Sequence, residues 1–138
     1  MTVQKAKEIC YGSVMEDIKH RAYRLALKAI KFIDSLNQKD ATVQIIAKQL
    51  LRSITSIGAN IIEAQSGSSK KDFTNMYNHG LKSANESKFW ICLLRDSDKA
   101  QKEAANDLLK ETTEISNILA ACILTLKGKR KNATVHSL

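Results

Sequence analysis

Between Ala41 and Ala64 the chain carries only three charges, Lys48, Arg52 and Glu63. The other positions are apolar or are small residues, Ser, Thr, Gly, Ala and Asn, as in AKQLLRSITSIGANIIEA from Ala47 to Ala64. Val43, Ala47, Leu50, Ile54, Ile57 and Ile61 recur at steps of four and three, which lines one face of an α-helix. Small residues beside such a seam let helix backbones come close. A helix this poor in charge is expected to be buried on more than one side, so the stretch reads as the packed centre of a helical bundle.

Three further seams have the same period. Ile18, Ala22, Leu25, Ala29, Phe32 and Leu36 form the first. Phe73, Tyr77, Gly80, Ala84, Ser87, Ile91 and Leu94 form the third, and Leu108, Thr112, Ile115, Leu119, Cys122 and Leu126 the fourth. Pro is absent, so only the polar breaks near Asn37–Asp40, Ser66–Ser69 and Asp96–Asp98 interrupt helices. Ser13 with Glu16 is a capping-box pattern for the first helix, and Ser69 with Asp72 resembles one for the third. Lys127–Gly128 is a stop signal after the fourth. The spacing predicts helices over 14–36, 41–66, 70–96 and 99–127. The fold class is all-α, an antiparallel up-down-up-down four-helix bundle with short loops. Residues 1–128 are expected to form the bundle domain and 129–138 a flexible basic tail.

Lys and Arg number 22 against 14 Asp and Glu, a formal net charge of +8. A charge of this size bears on partners and not on fold, and nucleic acid is the obvious polyanion. Arg21, Arg24, Lys28 and Lys31 share one face of the first helix, and their steps of three, four and three suit a phosphate-tracking surface. Lys127, Lys129, Arg130 and Lys131 extend the candidate nucleic-acid-binding set. An ordinary solvated face is the competing reading. The opposite flank of the first helix, Tyr23, Ala26, Ile30 and Ile33, is apolar, and Ile46, Leu51 and Ile62 add apolar surface on the second. One bundle core needs one stripe per helix, so this surplus implies a homo-oligomer.

Arg52, Asn60, Glu63, Asn85 and Glu86 are the polar residues expected to be partly buried, where they would fix register and assembly. A buried Arg52 needs a partner, and Glu86 or Glu63 would serve. Phe89–Trp90 reads as core or interface packing, not as a base-stacking platform. No nucleophile–base pair is present, so no catalytic residue is assigned and the chain is not read as an enzyme. A di-metal bundle site needs Glu-x-x-His on two helices. Here Glu63 is followed at that spacing by Ser66 and Glu86 by Phe89, and His20, His79 and His136 complete no such motif. No metal and no cofactor is expected. Cys10, Cys92 and Cys122 form no C-x-x-C and read as reduced thiols of a cytoplasmic protein. The opening MTVQKAKEICYG has no continuous apolar core, and no apolar run approaches the ~20 residues of a membrane span.

Gln49-Leu50-Leu51-Arg52-Ser53, Ser56-Ile57-Gly58-Ala59-Asn60, Glu63-Ala64 and Ser83-Ala84-Asn85-Glu86 together carry a resemblance. The chain resembles the bacterial four-helix-bundle proteins encoded by intervening sequences of 23S ribosomal RNA genes, over roughly Asp17 to Lys127. The resemblance implies a bundle that self-associates, typically as a homopentameric ring. It also implies kinship with the accessory variability protein of diversity-generating retroelements, a basic ring that binds nucleic acid and works with a reverse transcriptase. Many relatives carry Pro where this chain has Gly58, and Gly or Ala near Ile54. Two functions follow as expectations. One is a non-enzymatic oligomer that binds RNA or DNA through its basic surface, as an intervening-sequence or retroelement accessory protein. The alternative is a structural or protein-interaction oligomer with no nucleic-acid role.

Overall fold

The computed structural model describes residues 3–67 and 69–128, with the side chains of Lys5 and of Ile18 onward. Four α-helices account for nearly all of it: α1 Val3–Asp34, α2 Ala41–Gln65, α3 Lys70–Asp96 and α4 Lys102–Leu126. No strand occurs among the described residues. The chain is an all-α four-helix bundle. Its basic tail, including Lys129, Arg130 and Lys131, lies outside the described residues.

The seams become the core. Ile18, Leu25 and Ala29 on α1, Leu50, Ile54, Ile57 and Ile61 on α2, Phe73, Tyr77, Ala84, Ile91 and Leu94 on α3, and Leu108, Ile115 and Leu119 on α4 are fully buried. Each large apolar side chain removed from water in this way contributes about 1.5–3 kcal/mol. Contacts between helices fix their relative directions. Lys88 meets Ser116 and Arg95 meets Asn106, so numbers rise along α3 as they fall along α4. Asn60 and Ile57 lie beside Gly80, whereas Ser53 bonds Ser87, so α2 and α3 are related in the same way. A Cβ at Gly80 would sit 3.5 Å from Leu119 Cδ1 and 3.7 Å from Asn60 Cβ. These are ordinary van der Waals distances, so a methyl group at this position would fit between α2, α3 and α4 without a clash.

Two expected helix starts are corrected: α4 begins at Lys102 and not at 99, and α1 begins far earlier than 14. α1 does not begin at the Ser13–Glu16 pattern but runs through it from Val3. Gln4, Lys5, Ala6, Lys7 and Glu8 are good helix formers without a proline among them, and the one glycine, Gly12, costs about 1 kcal/mol without breaking a helix. A capping box acts only where the helix has no preceding turn to continue. The Ser69 cap and the Gly128 stop behave as expected. Asp40 caps α2 by accepting from the Val43 N–H at 3.1 Å, and Ser69 caps α3 by accepting from the Asp72 N–H at 3.0 Å. Gly128 follows α4 with φ +71°.

α3 ends in a Schellman turn. The Lys99 N–H donates to the Leu94 carbonyl at 2.9 Å and the Asp98 N–H to the Arg95 carbonyl at 3.2 Å. Asp98 therefore occupies the left-handed position, with φ +59°. An aspartate tolerates this region better than most residues but lacks the freedom of glycine. Asp98→Gly is expected to stabilise the bundle by about 0.5–1 kcal/mol, read as a higher denaturant midpoint.

Asp40 also ties the α1–α2 connection to the α3–α4 connection at one end of the bundle, since its Oδ2 accepts from Lys99 Nζ at 2.6 Å. The hydrogen bond from Lys99, followed by that from the Val43 N–H, holds the Asp40 carboxyl below the ordinary aspartate range. A carboxyl depressed on folding stabilises the native state fully above its unfolded pKa of about 4. That contribution disappears as the pH falls through the lower folded value. Asp40→Asn is therefore expected to flatten the acid limb of a stability–pH curve below about pH 4, measured by urea midpoints against the parent chain.

Candidate nucleic-acid and assembly surface

The four stripe cations of α1 divide into two pairs. Arg21 and Lys28 lean toward α4. Arg21 Nη2 lies 3.0 Å from Glu111 Oε1 and 2.6 Å from Glu114 Oε2, and Lys28 Nζ pairs with Asp107 Oδ2. Burial of the Arg21 guanidinium works against its charge, but the hydrogen bonds and charges of Glu111 and Glu114 outweigh it and hold its pKa above the ordinary value. Arg24 and Lys31 instead point outward, exposed, and neither meets a carboxylate among the described residues. His20 and Lys19 flank them, also exposed, and Lys127 is exposed past the end of α4. The partners of Arg21 and Lys28 are absent from the sequence reading. Asp107, Glu111 and Glu114 nevertheless repeat at four and three, the same signal that reveals the cation stripe.

Large apolar side chains remain in water along both flanks of α2. Tyr23 is 66% exposed, Ile45 65%, Phe89 56% and Ile62 53%, with Leu27, Ile30, Leu51 and Leu93 less so. Gly58 faces Ala22 of α1, and at 100° per residue Leu51 and Ile62 fall on that same side of α2. They continue the open apolar side of α1 formed by Tyr23 and Ile30. Ile45 falls on the opposite side of α2, the side of Arg52, which bonds Glu86 on α3. There it adjoins Phe89 and Leu93, the outward residues of α3. Two different apolar strips therefore border α2. The expectation that α2 is buried on more than one side is not met within a single chain: Ile45, Arg52, Thr55, Ala59 and Ile62 all face outward. Of the surplus apolar residues, Ile33 and Ile46 are half-buried against the core, while Tyr23, Ile30, Leu51 and Ile62 are exposed.

The set Arg52, Asn60, Glu63, Asn85 and Glu86 needs a similar correction. Arg52, Glu63 and Asn85 are exposed, and only Asn60 and Glu86 are half-buried. Their positions fall one or two residues off the seams, which places them on the outer edges of α2 and α3. The expected pairing does form: Arg52 Nη2 lies 3.1 Å from Glu86 Oε2, which also accepts from Trp90 Nε1 at 3.1 Å. Gln49 Oε1 accepts from the same guanidinium at 2.9 Å, and the Asn60 amide donates to the Ser56 carbonyl at 2.8 Å. Phe89 packs edge-on against Trp90, with ring centroids 5.0 Å apart, but is not core. Among the described residues, the polar side chains buried whole are Ser53, Ser87, Thr112 and Ser116, and the Asn117 Oδ1 is buried as well. Ser53 and Ser87 bond each other at 2.8 Å, and Ser116 accepts from Lys88 Nζ at 3.1 Å. Burial pushes the Lys88 pKa down.

The family model for the 23S rRNA-intervening sequence protein matches residues 16–121. The chain belongs to this family. No curated protein matches it. Among solved structures, this intervening-sequence family protein is similar to a protein of unknown function from the S23 ribosomal protein family of Bacteroides thetaiotaomicron VPI-5482. The two share 35% identity, with a TM-score of 0.72, over 77% of this chain and 97% of that one. The matched span of the family protein includes the α1 stripe, the α4 carboxylates and both apolar strips. Lys127 and the first turns of α1 lie outside it. Among the described residues of the family protein no group of His, Cys, Asp and Glu is placed to hold a metal ion, and no helix is long and apolar enough to cross a membrane. Cys92 is half-buried and Cys122 buried, both as free thiols.

Proposed function

We propose that this intervening-sequence family protein is a non-enzymatic, cytoplasmic, self-associating bundle of up-down-up-down topology that holds RNA or DNA through backbone phosphates. The observation that carries the proposal is the layout of α1. Its outward cations, Arg24 and Lys31, run along the edge of its open apolar side, Tyr23, Leu27 and Ile30. Covering that apolar side with a neighbouring protomer would leave the cations at the rim of each junction and repeat them around the assembly. The two strips bordering α2 differ, so one strip of each protomer meets the other strip of the next. Such a head-to-tail contact gives a ring where the rotation between neighbours closes, and a pentamer is the number the family resemblance implies. The contact-derived directions of α2 against α3 and α3 against α4 support the up-down topology.

The test is a titration of labelled single-stranded RNA with the parent protein and with Arg24→Glu/Lys31→Glu at two salt concentrations. Loss of two phosphate contacts should weaken binding about tenfold or more at low salt. It should also make the slope of log affinity against log salt shallower by about 1.4. Equal binding by the variant would move the contact to Lys127 and the tail. No affinity of the parent protein at low salt would favour the second reading, an interaction oligomer without a nucleic-acid role. That reading has one observation of its own: Arg21 and Lys28 are already neutralised by α4.

A further inference from the structure

We infer that the acidic row of α4 is an internal competitor for the polyanion, occupying Arg21 and Lys28 and holding half of the α1 stripe back from phosphates. This rests on the nucleic-acid reading above. Spacing puts Arg21, Arg24, Lys28 and Lys31 on one face, yet only Arg24 and Lys31 are presented to solvent without a carboxylate partner among the described residues. The row that occupies the other two carries three carboxylates, Asp107, Glu111 and Glu114, against two cations. The carboxylates of the row therefore outnumber the two cations they hold, directly beside the outward pair.

The Asp107 side chain is 62% exposed and that of Glu114 44%, whereas Arg21 is 19% exposed and Glu111 31%. The open Lys28–Asp107 pair is weak and screened by salt, so a phosphate can replace that carboxylate at little cost. Until it does, the row acts twice: it neutralises Arg21 and Lys28, and its excess charge repels a strand tracking Arg24 and Lys31. Only a strand dense enough in phosphates to displace the carboxylates would engage the whole stripe.

The prediction is carried by the isosteric variant Asp107→Asn/Glu111→Gln/Glu114→Gln, titrated with the same single-stranded RNA. Affinity at low salt should rise about tenfold, and the salt slope should steepen by about 1.4, the value for two further contacts to a single strand. A control, Asp34→Asn/Asp72→Asn/Asp98→Asn, changes net charge equally at exposed positions outside the row. It should raise affinity less than about threefold and leave the slope unchanged. In the amide variant, Arg21→Gln/Lys28→Gln should remove the gain. The single change Asp107→Asn, which frees Lys28 alone, should steepen the slope by about 0.7 and keeps the inference testable even if the triple variant folds poorly. A parent protein that binds RNA, with an amide variant no better than the control, would overturn the inference and leave the nucleic-acid reading standing. So would an Asp107→Asn salt slope equal to that of the parent protein. If neither parent nor amide variant binds RNA, the nucleic-acid reading fails and the inference with it.

Discussion

Phe73→Ala is expected to lower the stability of the bundle by about 3–5 kcal/mol, a large part of the about 5–15 kcal/mol that holds a domain folded. Phe73 and Tyr77 are both fully buried, and their rings stack with centroids 4.6 Å apart at 25°. They sit one turn apart at the start of α3. Truncation would remove most of one buried ring, leave a cavity beside the other, and forfeit the pair's own attraction of about 0.5–1.5 kcal/mol. The first turn of α3 is tied down by its Ser69 cap, so little collapse into the space is available. Denaturant unfolding at one fixed protein concentration would measure the loss, since association would otherwise shift the midpoint. A loss under about 1 kcal/mol would mean that this end of the core repacks freely.

A second large effect is expected on assembly and not on folding. Ile30→Glu/Ile62→Glu should convert the oligomer into a folded monomer. Both side chains are already exposed in the single chain, so charge there costs the bundle little. At a junction, the same two carboxylates would be desolvated without partners, raising the dissociation constant by about a hundredfold or more. Light scattering at micromolar concentration, with circular dichroism to confirm helix content, reads the outcome. Phe89→Asp, on the other strip, should have the same effect if strip meets strip. A parent chain that is itself a stable monomer would remove the assembly reading altogether.

Much of this architecture is visible in the residues alone. The four-three periodicity of Val43 to Ile61 marks the buried face of α2 because a helix that packs one side must repeat its apolar positions at that period. Gly128 and Ser69 are legible for similarly local reasons, a stop residue and a hydroxyl cap. The start of α1 is not, because a capping signature carries no information on whether helical residues already precede it. Arg52 and Asn85 were harder still. Whether a residue beside a seam is covered depends on how a neighbouring helix is rotated, and periodicity along one helix does not record that. The pairing of Arg21 with Glu111 and Glu114 joins residues far apart in sequence, and it appears only once α1 and α4 lie side by side. The acidic repeat on α4 could have been noticed, but nothing local says which helix it faces.

The unlike strips on either flank of α2 have a consequence at the level of populations of chains. In the head-to-tail ring proposed above, every subunit would have a donor side and an acceptor side, and closure would require all of both. A chain damaged on one side alone would still dock through the other, enter growing assemblies and halt them there. Co-expressed with intact copies, such a chain would act as a terminator whose influence exceeds its abundance. Damage to both sides would be milder in company, because a doubly defective chain is left out.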